Sequence, residues 1–196
     1  MKLFVLALAA LIPCLAASPE IEKGKTYGVP TAPIRIDLFS DFQCPACKAL
    51  HDQILPYLLN DYVKPGKVYI VAHEFPLPMH PYAREAASYA VASAKFGLYA
   101  PVADRLFQTQ PVWSQNGKVW DSLVPMLSPD QQKKIQAASK DPAVLATIDQ
   151  DIQLGQRERI QSTPTVLFTI RGTKKFALPW PVKYSFLQSM LDGYLK

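Results

Sequence analysis

Cysteine and histidine are both scarce in this 196-residue chain, with three of each. Cys14 lies in an N-terminal apolar stretch, which leaves Cys44 and Cys47 as the only cysteines beyond it. Without a second cysteine pair, a four-cysteine zinc site is excluded. Blocks of like charge are missing as well. The formal net charge is +5, but 21 basic residues are scattered among 16 acidic ones. That pattern offers no basic face of the kind nucleic acid requires. Internal repeats are absent. With 49% apolar and 19% charged residues, the composition is that of a globular chain, long enough for one domain with a core. Proline is abundant, at 18 residues, and should mark turns and helix starts.

The N-terminus reads as an address. Lys2 precedes the run LFVLALAALIPCLAA, which is too short to span a bilayer and ends in small residues. This is the pattern of a secretory signal peptide over residues 1–17, cleaved near Ala16 or Ala17. The alternatives are a retained membrane anchor, or lipidation at Cys14, against which the preceding Pro13 speaks. Cleavage would leave a periplasmic or secreted protein with two cysteines, in a compartment where disulfides persist.

The pattern along the chain alternates between strand and helix. Ile34–Phe39 follows Pro33 and, with Ile34, Ile36 and Phe39, reads as a strand. From Cys44 to about Tyr62, Leu50, Ile54 and Leu58 recur at helical spacing, with Pro56 expected to kink the helix. Lys67–Phe75 follows the Pro65-Gly66 turn as a second strand. The two strands are joined by a helical crossover, so they should be parallel. Residues 81–159 are alanine-rich and helical, with His80-Pro81, Ser128-Pro129 and Asp141-Pro142 as helix starts. Thr163–Ile170 returns to strand. Arg171-Gly172-Thr173 is a turn, the segment KKFAL is a short hairpin partner, and Tyr184–Leu195 is a closing helix. The expected organisation is a βαβ unit (18–80), a helical insertion (81–159) and a ββα unit (160–196).

The stretch SDFQCPACKALH, Ser40 to His51, concentrates the chemistry. Pro45 suits the first helical position, which makes Cys44 the N-cap. There its sulfur would accept hydrogen bonds from the Ala46 and Cys47 N–H groups, and the helix dipole would favour a thiolate. Cys47, one turn on, would sit deeper, be less acidic and resolve mixed disulfides. A purely structural disulfide at this spacing closes too small a loop to stabilise much. Metal binding by Cys44, Cys47 and His51 stays open as an alternative, with His73 and His80 the only other histidines. Asp41 and Gln43 fill the loop before Cys44 without a clear catalytic role. Trp180, between two prolines, is read as either a contact for unfolded substrates or a packing residue. Trp113 reads as core.

Taken together, FSDFQCPAC after one strand, HEFPLPMHPYAREAA after the next, a helical insertion and STPTVLF opening a third strand resemble the DsbA-like branch of the thioredoxin superfamily. The resemblance covers nearly the whole mature chain. It implies an α/β thioredoxin fold, a central mixed β-sheet flanked by helices, with an inserted helical domain. It also implies thiol–disulfide exchange on protein substrates through Cys44 and Cys47, with Pro45 and Ala46 as the active-site loop. A cis Thr163–Pro164 bond beside the site would offer a backbone edge for substrate binding. One departure stands out. The buried acid that this superfamily often carries six residues before the nucleophile is replaced by Leu38 here. Asp37 points to the other strand face by alternation, so either the acid is lost, a register shift brings Asp37 round, or Glu74 on the next strand substitutes.

The expected activity is that of a secreted or periplasmic thiol:disulfide oxidoreductase, with a dithiol oxidase favoured over a reductase or isomerase. No cofactor is called for. Expected partners are unfolded or thiol-containing secreted proteins and a membrane quinone-linked reoxidising protein. Too few residues precede the first strand for a dimerisation module, so a monomer is expected.

Overall fold

The computed structural model describes residues 18–196, apart from the side chains of Lys174 and Pro179. Residues 1–17, read above as a signal peptide and including Cys14, lie outside the described residues. A short helix α1 (Pro19–Gly24) and a two-residue strand β1 (Thr26–Tyr27) precede β2 (Ile34–Ser40). Next come α2 (Pro45–Gln53), α3 (Leu55–Leu58), a π-helical turn (Leu59–Val63) and β3 (Val68–Glu74). Five helices follow: α4 (Ala83–Ala94), α5 (Tyr99–Asn116), α6 (Val119–Leu123), α7 (Pro129–Ala138) and α8 (Pro142–Arg157). The chain closes with β4 (Thr165–Ile170), β5 (Lys174–Pro179) and α9 (Tyr184–Leu195).

The strands form one mixed sheet in the order β1-β3-β2-β4-β5. β2 and β3 are parallel, as their helical crossover requires. β4 runs antiparallel to β2, and β5 antiparallel to β4. Alternation along the central strands divides the sheet into two unlike faces. Ile34, Ile36, Leu38, Ile70, Val166 and Phe168 pack with Leu50, Leu55, Leu58, Leu187 and Leu191 from α2, α3 and α9. The helices between β3 and β4 supply most of a second core around Ala90, Val91, Leu106, Trp113, Leu123 and Ile148, which also reaches Cys44 and Cys47.

Local chemistry explains the helix boundaries. Ser128 caps α7 through a reciprocal box with Gln131, and Asp141 caps α8 by accepting the Ala143 N–H. The helix expected from Cys44 to about Tyr62 is instead divided into α2, α3 and the π turn. Pro56 sits in the first turn of α3, where its missing N–H costs nothing, so it starts a helix and does not kink one. The helix expected at His80-Pro81 begins two residues later, at Ala83. Gly155 lets α8 approach the sheet, because a Cβ there would lie 2.4 Å from the Phe75 ring.

The second face of the sheet buries ions. His73 on β3 places Nδ1 2.6 Å from Asp151 Oδ1 on α8 and Nε2 2.8 Å from Asp37 Oδ1 on β2. With a carboxylate at each ring nitrogen, both nitrogens have to donate, which makes the ring an imidazolium. Arg35 forks onto Asp37, and Lys25, fully buried, donates to Asp151 Oδ2 at 2.6 Å. The result is a chain of alternating sign, Arg35–Asp37–His73–Asp151–Lys25, that ties β2, β3, α8 and the segment after α1 together. Burial opposes the charge on His73, but hydrogen bonds to Asp151 and Asp37 outweigh it and raise its pKa. Asp37 is likewise held ionised, down to about 2, by His73 and Arg35 against the cost of burial.

The pH dependence of stability follows from these signs. A raised histidine contributes fully below its unfolded pKa of ~6.5 and loses that contribution as pH rises through its folded value. Asp37 contributes above ~3.9 and loses that contribution as pH falls towards its folded value. His73→Gln should cost about 3–5 kcal/mol near pH 6, because two buried carboxylates lose their shared cation. The cost should shrink at alkaline pH. Denaturant unfolding of both proteins across pH measures this, and a pH-independent difference would refute a charged His73.

Candidate active site

β2 ends at Ser40, and the turn Asp41–Cys44 delivers the chain into α2, with the Cys44 N–H donating to the Asp41 carbonyl at 3.1 Å. Cys44 is the N-cap of α2 in extended backbone conformation, with Pro45 in the first turn. Both cysteines are free thiols and both are buried, Cys47 more deeply (1% exposed, against 7% for Cys44). The expected N-cap hydrogen bond is not formed in full. The Cys44 sulfur makes no side-chain capping bond of conventional geometry, although the Cys47 and Ala46 N–H groups still act on it electrostatically.

The two thiols are pushed in opposite directions. The Cys47 thiol is the largest influence on Cys44, hydrogen-bonding to it and lowering its pKa. Burial works against this, the backbone N–H of Cys47 adds to it, and the outcome is about 5. Cys47 is pushed well up by burial and by the charge on Cys44, only partly relieved by the Ser40 hydroxyl and by the Asp41 N–H, which donates to its Sγ at 3.3 Å. At neutral pH the pair is therefore one thiolate at a helix N-terminus backed by one buried thiol.

Thr163 and Pro164 stand across from Cys44, joined by a cis peptide bond. The Thr163 carbonyl is 3.4 Å from Cys44 Sγ and accepts from it only while the thiol is protonated. The Thr163 hydroxyl is buried without a hydrogen-bond partner. It favours the Cys44 thiolate by proximity without reaching bonding geometry. The structure thus brings Cys44, Cys47, Thr163 and Pro164 together, with Pro45 and Ala46 at the helix start. Trp180 is joined to Pro181 by a second cis bond and is half-buried against the core on the α9 side of the sheet.

His51 does not join the cysteines as a ligand. Among the described residues, no three potential ligands cluster around a metal position. His51 instead pairs through Nε2 with Asp104 Oδ1 on α5 at 2.9 Å and packs on the Phe107 ring. Leu38 is apolar core, as its residue type dictates. Asp37 faces the ionic side of the sheet. Glu74 pairs in register with Ser40 on the same side as Leu38, accepts the Tyr99 hydroxyl at 2.6 Å and is pushed up to about 7 by burial.

Several residues without a functional reading in the sequence hold the loop in place. Asp41 is buried and accepts from the Gln43 N–H (2.7 Å) and the Leu77 N–H (2.8 Å), and its Oδ2 pairs with His80 Nδ1 (2.7 Å). Gln43 accepts the Tyr82 N–H and donates to the Ser114 carbonyl. Gln110 on α5 donates to the carbonyls of Phe42 and Cys44 at 2.6 and 3.0 Å. An acid set between Ser40 and Phe42 beside a reactive loop was a legible signal for Asp41. Nothing in the sequence around Gln110 marks it out.

Comparison with known proteins gives a consistent result. A family model described as Thioredoxin matches residues 20–192. The chain is 25% identical over 175 residues to the disulfide bond formation protein D of Bacillus subtilis, covering 83% of this chain and 75% of that protein. Among solved structures it resembles α-DsbA1 of Wolbachia pipientis, with a TM-score of 0.73 at 18% identity over 87% of this chain and 89% of that one. It also resembles oxidised BdbD of Bacillus subtilis, with a TM-score of 0.72 at 22% identity, 88% of this chain and 94% of that one being covered. The structural matches bear out the thioredoxin fold with its mixed five-stranded sheet.

Thiolate absorbance of the reduced protein should titrate with a midpoint of about 5. Cys47→Ala removes the largest cause of that shift and should move the midpoint upward, whereas Cys47→Ser keeps a donor and should move it less. An unchanged midpoint in Cys47→Ala would show that the helix N-terminus alone sets the Cys44 charge.

Proposed function

The chain belongs to the thioredoxin family and is a thiol:disulfide oxidoreductase, and on that premise we propose that it is a dithiol oxidase acting on secreted or periplasmic proteins through Cys44 and Cys47. The observation that carries this reading is the opposite displacement of the two thiols. Cys44, with its pKa lowered to about 5, is the sulfur that exchanges with substrate. Cys47, more deeply buried and with its pKa raised, forms and releases the internal disulfide. A substrate thiolate attacks Cys44 of the oxidised pair, and Cys47 leaves and takes up a proton. A second substrate thiolate then attacks the substrate sulfur of the mixed disulfide and releases Cys44 as a thiolate. The low pKa makes Cys44 a good leaving group and stabilises the reduced protein, which favours giving the disulfide away.

Thr163 and Pro164 border Cys44 and are read as the substrate-binding edge, where Pro164 removes a donor and leaves neighbouring backbone to pair with an extended chain. The N-terminal apolar segment supports export, and a membrane quinone-linked protein is the proposed reoxidant. Pro45 and Ala46 bring no cation into the loop, so the couple should lie between roughly −270 and −120 mV.

The two roles separate by mutation. Cys47→Ala incubated with a disulfide substrate should accumulate mixed disulfides through Cys44, and Cys44→Ala should trap none, as read by mass spectrometry. Equal trapping would overturn the assignment. Direction is read from melting curves. Cys44 has its pKa lowered from ~8.5 in the unfolded chain. Its contribution to the reduced form is therefore full above that value and fades as pH falls through about 5. Reduced protein should melt above oxidised protein at neutral pH, with the gap closing in acid. An oxidised form that melts higher at neutral pH would favour the reductase or isomerase reading.

A further inference from the structure

Resolution poses a proton problem. Cys47 can attack a mixed disulfide only as a thiolate, yet burial keeps it protonated. In the resting dithiol its S–H points to Cys44. Once Cys44 is bonded to a substrate sulfur, that acceptor is lost. Of its other polar neighbours the Asp41 N–H can only donate, which leaves the Ser40 hydroxyl as the group able to accept a proton.

Ser40 opens onto a narrow, partly open chamber of about 30 Å³ between the sheet, α2 and α5. Leu38, Ala72, Leu55, Phe42, Ala103 and Phe107 give it apolar walls, and Ser40, Tyr27, Tyr99 and His51 give it polar ones. A buried water needs ~10–15 Å³ and two to four polar partners, so the chamber has room for about two waters. His51 follows Cys47 by four residues on α2, which puts both on the same helix face. Its Nε2–H is committed to Asp104 Oδ1, so Nδ1 is the nitrogen free to take a proton. His51 is 14% exposed and Asp104 is 56% exposed. A proton arriving at this pair is therefore at the surface.

We propose that Ser40, the water chamber and the His51–Asp104 pair form the proton outlet of Cys47. In the resolving step the Cys47 proton passes to Ser40, whose own proton moves through chamber water to His51. The Cys47 sulfur lone pair then forms the Cys44–Cys47 bond as the Cys44–substrate S–S bond breaks, and the substrate sulfur departs as a thiolate. In the reverse direction the same path returns a proton to Cys47. The step is internal to thiol–disulfide exchange, and the inference rests on the oxidoreductase reading above.

The other ionisable groups around the chamber fit this role less well. The Tyr27 hydroxyl is held protonated by burial and by the nearby Asp104 and Glu74 charges. The Tyr99 hydroxyl is committed to Glu74. Glu74 itself is fully buried, does not line the chamber and reaches it only through the Tyr99 hydroxyl. Lys48 and Asp52, also on α2, pair with each other.

The test is a single-turnover reaction of reduced protein with glutathione disulfide, quenched with acid and read by mass spectrometry. It gives the rate of mixed-disulfide formation at Cys44 and the rate of its resolution by Cys47 separately. His51→Gln keeps a donor to Asp104 but accepts no proton at neutral pH. It should form the mixed disulfide at the wild-type rate and resolve it about 100-fold more slowly, the lower end for a positioned acid–base group. The deficit should shrink as pH rises and hydroxide substitutes for the outlet. His51→Ala should show the same deficit, with added imidazole restoring the rate. Wild-type resolution in His51→Gln would overturn the outlet. So would a deficit in His51→Ala that imidazole leaves untouched, or a slow step found in Glu74→Gln with His51→Gln normal. Failure of the wild-type protein to form any mixed disulfide would instead overturn the oxidoreductase reading and, with it, the outlet.

Discussion

The turn from Ser40 to Cys44 is the constraint on which the reactive end depends. It has to end a strand, start a helix and hold two sulfurs at different depths within a few residues. The Asp41 carboxylate makes this geometry stable. Buried, it accepts from Gln43 inside the turn and from Leu77 in the segment after β3, and it pairs with His80 there. Its own N–H is thereby fixed against the Cys47 sulfur. A carboxylate with three partners leaves little freedom to the turn. That rigidity and the helix start at Pro45 together set where the two sulfurs sit.

The sheet separates two kinds of electrostatics. On one face, Asp37, His73, Asp151 and Lys25 form a closed chain in which each buried charge meets an opposite one. Such a chain fixes the relative positions of β2, β3 and α8 and leaves no group free to exchange a proton. On the other face lie Ser40, Glu74, His51 and the Cys47 thiol, near a chamber with room for water. Alternation along β2 and β3 keeps the two systems apart, since adjacent residues point to opposite faces. A fully paired ionic face and a face that carries a free thiol can therefore sit one residue apart.

The helices between β3 and β4 are the outer wall of the site. Gln110 holds the carbonyls of Phe42 and Cys44, Ser114 accepts from Gln43, and the residue before α4, Tyr82, donates to Gln43. Asp104 and Phe107 from the same α5 cover His51. The reactive turn is thus clamped from the inserted side as firmly as from the sheet. The helical segment holds the turn in place, and both cysteines lie outside it.

The sequence alone determined the parts governed by local rules. The N-cap position of Cys44 follows from Pro45, the parallel pairing of β2 and β3 from their helical crossover, and the caps of α7 and α8 from Ser128 and Asp141. Helix and strand periodicity placed α9 and the central strands, because those patterns depend on residues a few positions apart. Tertiary structure alone decided the rest. The charge on His73 depends on Asp37 and Asp151, 36 and 78 residues away. The hold on Cys44 depends on Gln110, 66 residues on. The breaks between α2, α3 and the π turn, and the start of α4 at Ala83, likewise escaped local patterns. A propensity records what a residue prefers by itself, whereas proton affinity and hydrogen-bond satisfaction depend on which distant groups share its buried space.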